Sequence, residues 1–336
     1  MRLLIAAGLA AAAVSATAQD KLPVVKVVAT GGTIANTPSG RLHAGEVAEA
    51  IPALKSVARL EVEEVIRVGS SGISVDNWVT LARRINEILA KEPDVKGIVV
   101  THGSNTAEET SYFLSLTVQG DKPVVLTAAQ RQFSTLSSDS PKNFLQAVRV
   151  AASDEARGKG ALLVTNDTIN AAREVTKNIS YRVETYDSKD VGALGYVDED
   201  RVTFYRAPTR RAKPFDLSKV QKLPRVDIVF TYAGSDGALI DAAAAAGAQG
   251  VVIAGFPTGS GTPAMDDAMK RVAEKGVAVV MTNRGGTGRV TDTRAKEARP
   301  LVFGDNLTPQ KARVLLMLAL TTTKDRAELQ RIFQTY

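Results

Sequence analysis

The sequence lacks cysteine altogether and has only two histidines, His43 and His102, among 336 residues. The absence of cysteine excludes disulfide bonds and a thiol nucleophile. Two histidines so far apart in the sequence are too few for a histidine-rich zinc site. We therefore expect neither a bound metal nor another cofactor.

Aromatic residues are also scarce, at 5% of the chain, while the net charge is +6 from 42 basic and 36 acidic residues. The basic excess is concentrated at residues 206–222. This stretch contains Pro208 and Pro214, and Phe215 is its single aromatic residue. A basic run of this composition is typical of a solvated linker and not of a nucleic-acid surface, which needs interleaved aromatics for stacking. We expect no nucleic-acid partner.

The longest apolar segment lies at the N-terminus, where residues 1–18 read MRLLIAAGLAAAAVSATA. One early arginine, the apolar run from Leu3 to Val14 and the A-x-A pattern before Gln19 predict a cleaved signal peptide. The run is too short for a membrane anchor. We therefore expect a mature chain that starts at Gln19, is periplasmic or secreted, and has no contact with the membrane after removal of the signal.

From Val24 onward, short apolar runs alternate with amphipathic stretches, a pattern that predicts βαβ units and a mainly parallel sheet. An N-terminal domain is predicted at 19–208, a linker at 209–224 and a second alternating domain at 225–336. The predicted strands are 24–30, 60–68, 97–101, 123–129, 160–166, 226–233, 250–256 and 277–283. The predicted helices are 75–91 and 140–153, with two more at the C-terminus, the first of which follows Thr308-Pro309.

Small polar residues follow two of the predicted strands, as ATGGTIAN at 29–36 and THGSNT at 101–106. The carboxyl ends of strands in an open α/β sheet are where ligands bind. Serine, asparagine and threonine also cap helices, but one cap is enough for a helix. Neither the dinucleotide fingerprint nor the G-x-S-x-G nucleophile elbow is present. A hydroxyl nucleophile needs a base, and lysine is the natural one where histidine is rare.

Four segments together resemble the bacterial L-asparaginase and glutaminase–asparaginase family. They are TGGTIA at 30–35, THGSNTAEETSYFL at 101–114, REVTK at 173–177 and LTPQKARVLLMLAL at 307–320. The resemblance covers nearly the whole mature chain in the same order. It implies a larger N-terminal α/β domain, a smaller C-terminal α/β domain, and a homotetramer with sites between subunits. It also implies hydrolysis of a small amide through a threonine acyl-enzyme, without metal.

The resemblance also implies roles for individual residues. Thr33 matches the nucleophilic threonine, Ser104 stands at the second catalytic threonine, and Lys177 matches the lysine that serves that hydroxyl. Asn105 is the fourth predicted catalytic residue. The predicted substrate-binding residues are Ser70, which matches the serine that holds the substrate α-carboxylate, Ser71, Gly32 and Gly103. The residues alone also fit helix caps, turn formers and a surface lysine.

Three positions depart from the family pattern. Asn105 replaces the usual aspartate of the lysine triad, which also contacts the substrate ammonium. Leu42 stands where a tyrosine normally partners the first threonine, and Arg131-Gln132 replaces the usual R-P. For the glutamate that the C-terminal domain contributes there is no firm match, Glu297 being the nearest candidate.

The change at residue 105 removes a negative charge, and this has two consequences. A carboxylate raises the pKa of a neighbouring lysine, so Asn105 should leave Lys177 easier to deprotonate. A zwitterionic substrate also loses an ionic partner, unless Asp139 or Glu174 supplies one. Leu42 cannot relay a proton, so the Ser104–Lys177 side of the site is better preserved than the Thr33 side.

These observations favour an amidohydrolase that converts L-asparagine to L-aspartate and ammonia, with L-glutamine as a second candidate substrate. Two alternatives stay open. One is an amidase of the same fold that acts on a less charged amide. The other is a catalytically silent periplasmic ligand-binding protein, against which the single linker and the paired hydroxyls with a lysine argue.

Overall fold

The computed structural model describes residues 22–208, 213–290 and 300–336. Its contacts divide the chain into two compact units. The first unit contains Met1–Ser111, Val118–Ser188 and Gly192–Pro208, and the second contains Tyr112–Thr117, Lys189–Val191 and Thr209–Tyr336. The predicted signal peptide, residues 1–18, lies outside the described residues, as does part of the predicted linker. The proposed domain boundaries stay a prediction.

The first unit is built on an eight-stranded sheet of order β12-β11-β8-β7-β6-β5-β1-β4. Five neighbouring strands are parallel to one another: β7, β6, β5, β1 and β4. Strands β8, β11 and β12 continue the sheet beyond β7 with antiparallel pairing. Two short hairpins, β2–β3 and β9–β10, lie outside it. The strands are β1 (Val24–Ala29), β2 (Asn36–Thr37), β3 (Gly40–Arg41), β4 (Arg59–Glu64), β5 (Val95–Thr101), β6 (Val124–Thr127), β7 (Ala161–Thr165), β8 (Thr168–Ala171), β9 (Thr176–Lys177), β10 (Tyr186–Asp187), β11 (Gly195–Val197) and β12 (Val202–Phe204).

Four helices accompany these strands along the chain: α1 (Ala44–Glu49), α2 (Val75–Lys91), α3 (Ala107–Thr117) and α4 (Ser140–Ala152), with single 3-10 turns at Thr33–Ala35 and Ser70–Gly72. Helix α2 shows why such sequences fold this way. Ser74 accepts a hydrogen bond from the Asn77 backbone N–H and caps the helix, which satisfies a donor that the helix leaves open. Leu81, Ile85 and Ile88 then recur on one buried face.

The second unit has a four-stranded parallel sheet of order β13-β14-β15-β16. Its elements are β13 (Val226–Phe230), α5 (Ala238–Ala245), β14 (Gly250–Gly255), α6 (Pro263–Glu274), β15 (Ala278–Asn283), β16 (Val302–Phe303), α7 (Pro309–Ala319) and α8 (Arg326–Thr335). Strand β14 is buried along its whole length, as a central parallel strand covered on both faces must be. The predicted fold class, two α/β domains with a larger mainly parallel sheet and a smaller parallel sheet, is confirmed.

One local prediction needs correction. The strand predicted at 60–68 ends at Glu64, because Val65, Ile66 and Val68 instead donate backbone hydrogen bonds to carbonyls at the end of β1. This segment thereby turns toward the polar residues after β1. Thr308 and Pro309 start α7 as the sequence predicts, with Thr308 at the N-cap and Pro309 as the first helical residue, although the Thr308 side chain makes no capping hydrogen bond.

Candidate active site

The turns that follow β1, β4 and β5 lie close together, because two of them have glycine at the point of contact. A Cβ built on Gly32 would lie 2.3 Å from the backbone nitrogen of Gly103. A Cβ built on Gly103 would lie 2.6 Å from the Oγ atom of Ser70. Real Cβ contacts are not this short, so glycine is required at both positions. The two predicted substrate-binding glycines therefore have a structural role, which is to bring the neighbouring hydroxyls together.

Thr33 begins a short 3-10 turn directly after Gly31 and Gly32, both of which have φ near +95°. That backbone conformation is open to glycine and strained for other residues. The chain can thus reverse sharply at the end of β1 and present Thr33 at the sheet edge. The Thr33 side chain is partly exposed and has no hydrogen-bond partner among the residues that the structure describes.

Ser104 and Lys177 form the best-defined contact of the site. The Lys177 Nζ atom donates a hydrogen bond of 2.8 Å to the Ser104 Oγ atom. The same ammonium lies 3.4 Å from the Oδ1 atom of Asn105. Ser104 is buried and Asn105 is exposed. Three of the four predicted catalytic residues are therefore in mutual contact, on one side of the Thr33 turn.

The β9–β10 hairpin holds Lys177 in place. Tyr186 is the register partner of Lys177, and its buried hydroxyl donates a hydrogen bond to the Ser104 carbonyl oxygen. Tyr186 also packs in a small apolar cluster with Ala107 and Val175. The lysine and the serine are thus joined twice, through their side chains and through the tyrosine. The sequence motifs contain no signal for this role of Tyr186.

Ser70 lies under the loop that carries Ser104. Its Oγ atom accepts a hydrogen bond of 3.1 Å from the Asn105 backbone N–H, and its carbonyl accepts one of 2.9 Å from the Thr106 hydroxyl. Because Oγ is used as an acceptor, the Ser70 proton stays available for donation to an anionic group. Ser71 is exposed on the same turn. The geometry is compatible with the carboxylate-binding role expected of Ser70.

Burial lowers the pKa of Lys177 below its ordinary value of 10.5, and the charge of Glu108 opposes that shift. A partly desolvated ammonium is less stable than one in water, so its neutral form becomes accessible at lower pH. The Glu108 side chain, on the first turn of α3, is itself buried, at 6% exposure. Sequence reasoning missed this carboxylate, although it lies within the quoted motif THGSNTAEET.

His102 has a structural role beneath the same loop. It is fully buried, and burial lowers its pKa to about 4, so the ring is neutral near pH 7. The Nδ1 atom lies 2.7 Å from the Gly103 carbonyl oxygen, and Nε2 lies 3.0 Å from the Thr110 hydroxyl. A neutral ring with its proton on Nδ1 donates to the carbonyl and accepts from Thr110. The imidazole therefore supports the turn that presents Ser104.

The acidic residues considered as replacements for the missing aspartate are engaged elsewhere. Asp139 accepts hydrogen bonds from the backbone N–H groups of Gln130 and Arg131. Glu174 is nearly buried and forms a 2.8 Å ion pair with Arg206. Both carboxylates thus have partners within the protein, and the described contacts place neither of them beside Asn105. The candidate Glu297 lies outside the described residues.

The region expected to carry the tyrosine is a tight hairpin, β2–β3, directly after the Thr33 turn. Leu42 follows the hairpin, donates its N–H to the Ala35 carbonyl and packs against the apolar core of the first unit. An apolar side chain that packs against the core therefore stands where the family pattern has a tyrosine. The neighbouring Arg41 extends toward the glycine turns: a Cβ on Gly31 would lie 3.2 Å from its Nη1 atom.

Within the described ranges, no cluster of three or more histidine and carboxylate side chains is arranged to hold a metal ion. The described helices also include none with the length and apolar character needed to cross a bilayer.

Comparison with known proteins agrees with this geometry. The family profile "Asparaginase, N-terminal" matches residues 24–210, and "Glutaminase/Asparaginase C-terminal domain" matches residues 225–333. L-asparaginase 2 of Bacillus subtilis is 42% identical, over 96% of this chain and 89% of the relative. The chain belongs to the asparaginase family. The resemblance inferred from the motifs is thereby confirmed, and family membership makes the protein an amidohydrolase.

Two further relatives differ in their described location. A probable periplasmic L-asparaginase of Haemophilus influenzae is 37% identical, over 94% of this chain and 93% of the relative. The crystal structure of a probable cytoplasmic L-asparaginase from Campylobacter jejuni superposes with a TM-score of 0.89 at 37% identity, covering 94% of this chain and 100% of that one. Asparaginase-family chains of this fold are thus described in both compartments.

Proposed function

We propose that this asparaginase-family protein hydrolyses L-asparagine to L-aspartate and ammonia, with L-glutamine as a further substrate, through an acyl-enzyme on Thr33. The observation that supports the chemistry best is the 2.8 Å contact between Lys177 Nζ and Ser104 Oγ beside the Thr33 turn. A lysine with a lowered pKa next to a hydroxyl can accept a proton during acyl transfer. Names among the relatives and the matching C-terminal profile support the choice of amides.

In the proposed reaction, Thr33 Oγ1 attacks the carbon of the side-chain amide, and its proton passes to the Ser104–Lys177 pair. The proton is returned to the leaving nitrogen as the C–N bond breaks, so that ammonia departs and an ester on Thr33 remains. Water then attacks the ester, gives up one proton to Thr33 Oγ1, and releases aspartate. Lys177 must be neutral at the start, which its lowered pKa favours.

The arrangement of the loops supports the proposed roles of Thr33 and Ser104. The backbones of Gly32 and Gly103 touch, and Thr33 and Ser104 are the residues that follow them. Two hydroxyls that follow touching glycines can face one bound amide, which supplies the proximity that acyl transfer needs. A silent binding protein would have no need for a partly desolvated lysine against one of these hydroxyls.

The deciding experiment measures ammonia released from L-asparagine by the purified protein and its variants. We expect Thr33→Ala and Lys177→Ala each to lose at least about 100-fold in kcat, since the nucleophile or the base is removed. Thr335→Ala and Lys142→Ala serve as controls, because these exposed side chains make their hydrogen bonds with groups outside the site. Near-normal turnover in the Thr33 or Lys177 variant contradicts the assignment.

Mass spectrometry of protein quenched during turnover of a slow amide locates the acyl group. A mass increase on the peptide that carries Thr33 is expected. A mass increase on the peptide that carries Ser104 would instead identify the Ser104 hydroxyl as the nucleophile and reject the assignment to Thr33.

We also propose that the chain is exported and assembles as a homotetramer. The predicted signal peptide and the periplasmic relative support export. Mass spectrometry of protein from the periplasm or the medium should show a chain that begins near Gln19, and an intact Met1 would contradict it. Light scattering on that material tests the tetramer, and a monomer with full activity would contradict it.

A further inference from the structure

An arginine lies beside the candidate active site and has no role in the proposed reaction. Arg41 ends the β2–β3 hairpin, which follows the Thr33 turn without a linker. Its Nε atom donates a 2.8 Å hydrogen bond to the Oδ1 atom of Asn36, its register partner across the hairpin. Its carbonyl oxygen accepts a hydrogen bond from Arg67. Both ends of the residue are therefore fixed by the first unit itself.

The guanidinium extends to two glycines, one near Thr33 and one beside Ser70. Its Nη1 atom lies 3.2 Å from the Cβ position of Gly31, and its Nη2 atom lies 3.8 Å from that of Gly69. Gly31 is two residues before Thr33, and Gly69 immediately precedes Ser70. Because both glycines lack a side chain, the planar group can approach the backbone of these two turns closely.

Arg41 is partly buried and forms no ion pair with any residue in the described part of the chain. The neutral Asn36 takes one of its donors. Glu64 lines the same small cavity, but its carboxylate is engaged by the ring of His43. A partly desolvated guanidinium with open donors is a favourable partner for a carboxylate, which it can bind through two parallel hydrogen bonds. Ser70, with a hydroxyl proton to donate, is on the adjoining turn.

The opposite charge is missing from the same part of the site. Asn105 stands where the family carries an aspartate, and Glu108, whose charge acts on Lys177, is buried. Asp139 and Glu174 are engaged by other groups. Within the described residues of the first unit, the site thus offers a cation for a carboxylate but no unengaged, exposed carboxylate for an ammonium.

We propose that Arg41, together with Ser70, binds the substrate carboxylate, and that the protein prefers amides that carry a carboxylate but no free α-ammonium. Amides of dicarboxylic acids, such as succinamate, and N-acylated asparagines have this chemistry. This inference rests on the proposed amide hydrolysis and specifies its substrate class. Arg41 is a binding residue in this scheme and takes no proton from the substrate.

The test compares three amides that differ in one charge at a time. L-Asparagine has both charges, succinamate lacks the ammonium, and 3-aminopropanamide lacks the carboxylate. Ammonia release gives kcat/KM for each with the native protein, Arg41→Ala, Arg41→Lys and the control Arg59→Ala. Arg59 is an exposed arginine of β4 that pairs with Glu61, so its removal changes the net charge equally.

The native protein should hydrolyse succinamate with kcat/KM at least equal to that for L-asparagine. Arg41→Ala should lower kcat/KM about tenfold or more for both carboxylate-bearing amides, mainly through KM, and leave 3-aminopropanamide within about twofold. Arg41→Lys should recover part of the loss, and Arg59→Ala should change none of the three. Equal losses on all three amides, or no loss on any, overturn the proposal, since the first outcome shows that Arg41 only stabilises the hairpin.

A binding measurement separates this inference from the proposed hydrolysis. Calorimetric titration of Thr33→Ala with succinate reports carboxylate binding without turnover. We expect the additional change Arg41→Ala to weaken succinate binding about tenfold or more. If the native protein releases no ammonia but succinate binding depends on Arg41, the proposed hydrolysis is rejected and the carboxylate site is kept. Succinate binding that does not change with Arg41 rejects the carboxylate site, whatever the protein hydrolyses.

Discussion

Asn105→Asp tests the electrostatics of the site most directly, because it adds one charge and changes the side-chain shape little. The Oδ1 atom of Asn105, which lies 3.4 Å from the Lys177 ammonium, would become a carboxylate oxygen, and the second oxygen would replace the amide nitrogen. An opposite charge at this separation typically raises the pKa of a lysine by about one to three pH units. Residue 105 is exposed, so water screens the interaction and we expect a rise of about one unit.

The sign of the effect on the rate follows from the proposed role of Lys177 as a base. Hydrolysis requires the neutral amine, so the rate increases as pH rises through the Lys177 pKa. Burial places that pKa below 10.5 in the native protein, and Asn105→Asp moves it upward again. The rising limb of the pH–kcat profile should therefore shift by about one unit to higher pH. Below both pKa values, kcat should fall about tenfold.

Asn105→Asp should lower kcat at low pH, but it should improve the recognition of substrates that carry a free α-ammonium. A free α-ammonium gains a carboxylate partner, and a charge-assisted hydrogen bond contributes about 1.5–3 kcal/mol. The ratio of kcat/KM for L-asparagine to that for succinamate should rise by about one to two decades.

The assay is ammonia release across pH from the native protein, Asn105→Asp and the control Asn178→Asp. Asn178 is an exposed neighbour of Lys177 along the chain, and its described hydrogen bond is made by its backbone. The control should move neither the profile nor the ratio. An Asn105→Asp profile that coincides with the native one would refute Lys177 as the base, and an unchanged ratio would refute the role of residue 105 in reading substrate charge.

Three further perturbations follow from the same geometry. Glu108→Gln removes the charge that raises the pKa of Lys177, so the rising limb of the pH–kcat profile should move to lower pH, and a shift to higher pH would contradict this. Thr110→Val should lower the free energy of unfolding by about 1–3 kcal/mol in urea titrations, because it removes the hydroxyl that bonds both His102 Nε2 and Trp78 Nε1; unchanged stability would show that these two bonds contribute nothing. Gly103→Ala should lower Tm and kcat/KM together, since its Cβ would lie 2.6 Å from Ser70 Oγ; a normal Tm in this variant would contradict the close contact.

The sequence predicts the meeting of Thr33 and Ser104 for a simple physical reason. Both follow parallel strands, β1 and β5, that are neighbours in one sheet, and the carboxyl ends of parallel strands lie at the same edge. Lys177 is different, because it belongs to a two-residue strand of a separate hairpin, and no periodicity predicts where that hairpin packs. Only the resemblance to the family placed it in the site.

The structure adds features that pattern reasoning does not reach. Burial of Glu108 depends on how α3 packs, and a glutamate in the first turn of a helix is usually a solvated residue that complements the helix dipole. The end of β4 at Glu64 depends on hydrogen bonds to β1 and not on the apolar run VIRV that follows. Both are tertiary effects that override local preference.

Two features of charge in the site act in the same direction. Asn105 leaves the neighbourhood of Lys177 without a negative charge at that position, and Arg41 places a positive charge beside the glycines that flank Thr33 and Ser70. The first feature makes the ammonium of Lys177 less stable and so favours the base. The second feature favours a bound carboxylate. In the proposed scheme, residue 105 affects both the rate and the recognition of an ammonium, whereas Arg41 affects only the binding of a carboxylate. The substrate comparison and the pH profile must therefore be measured on the same variants.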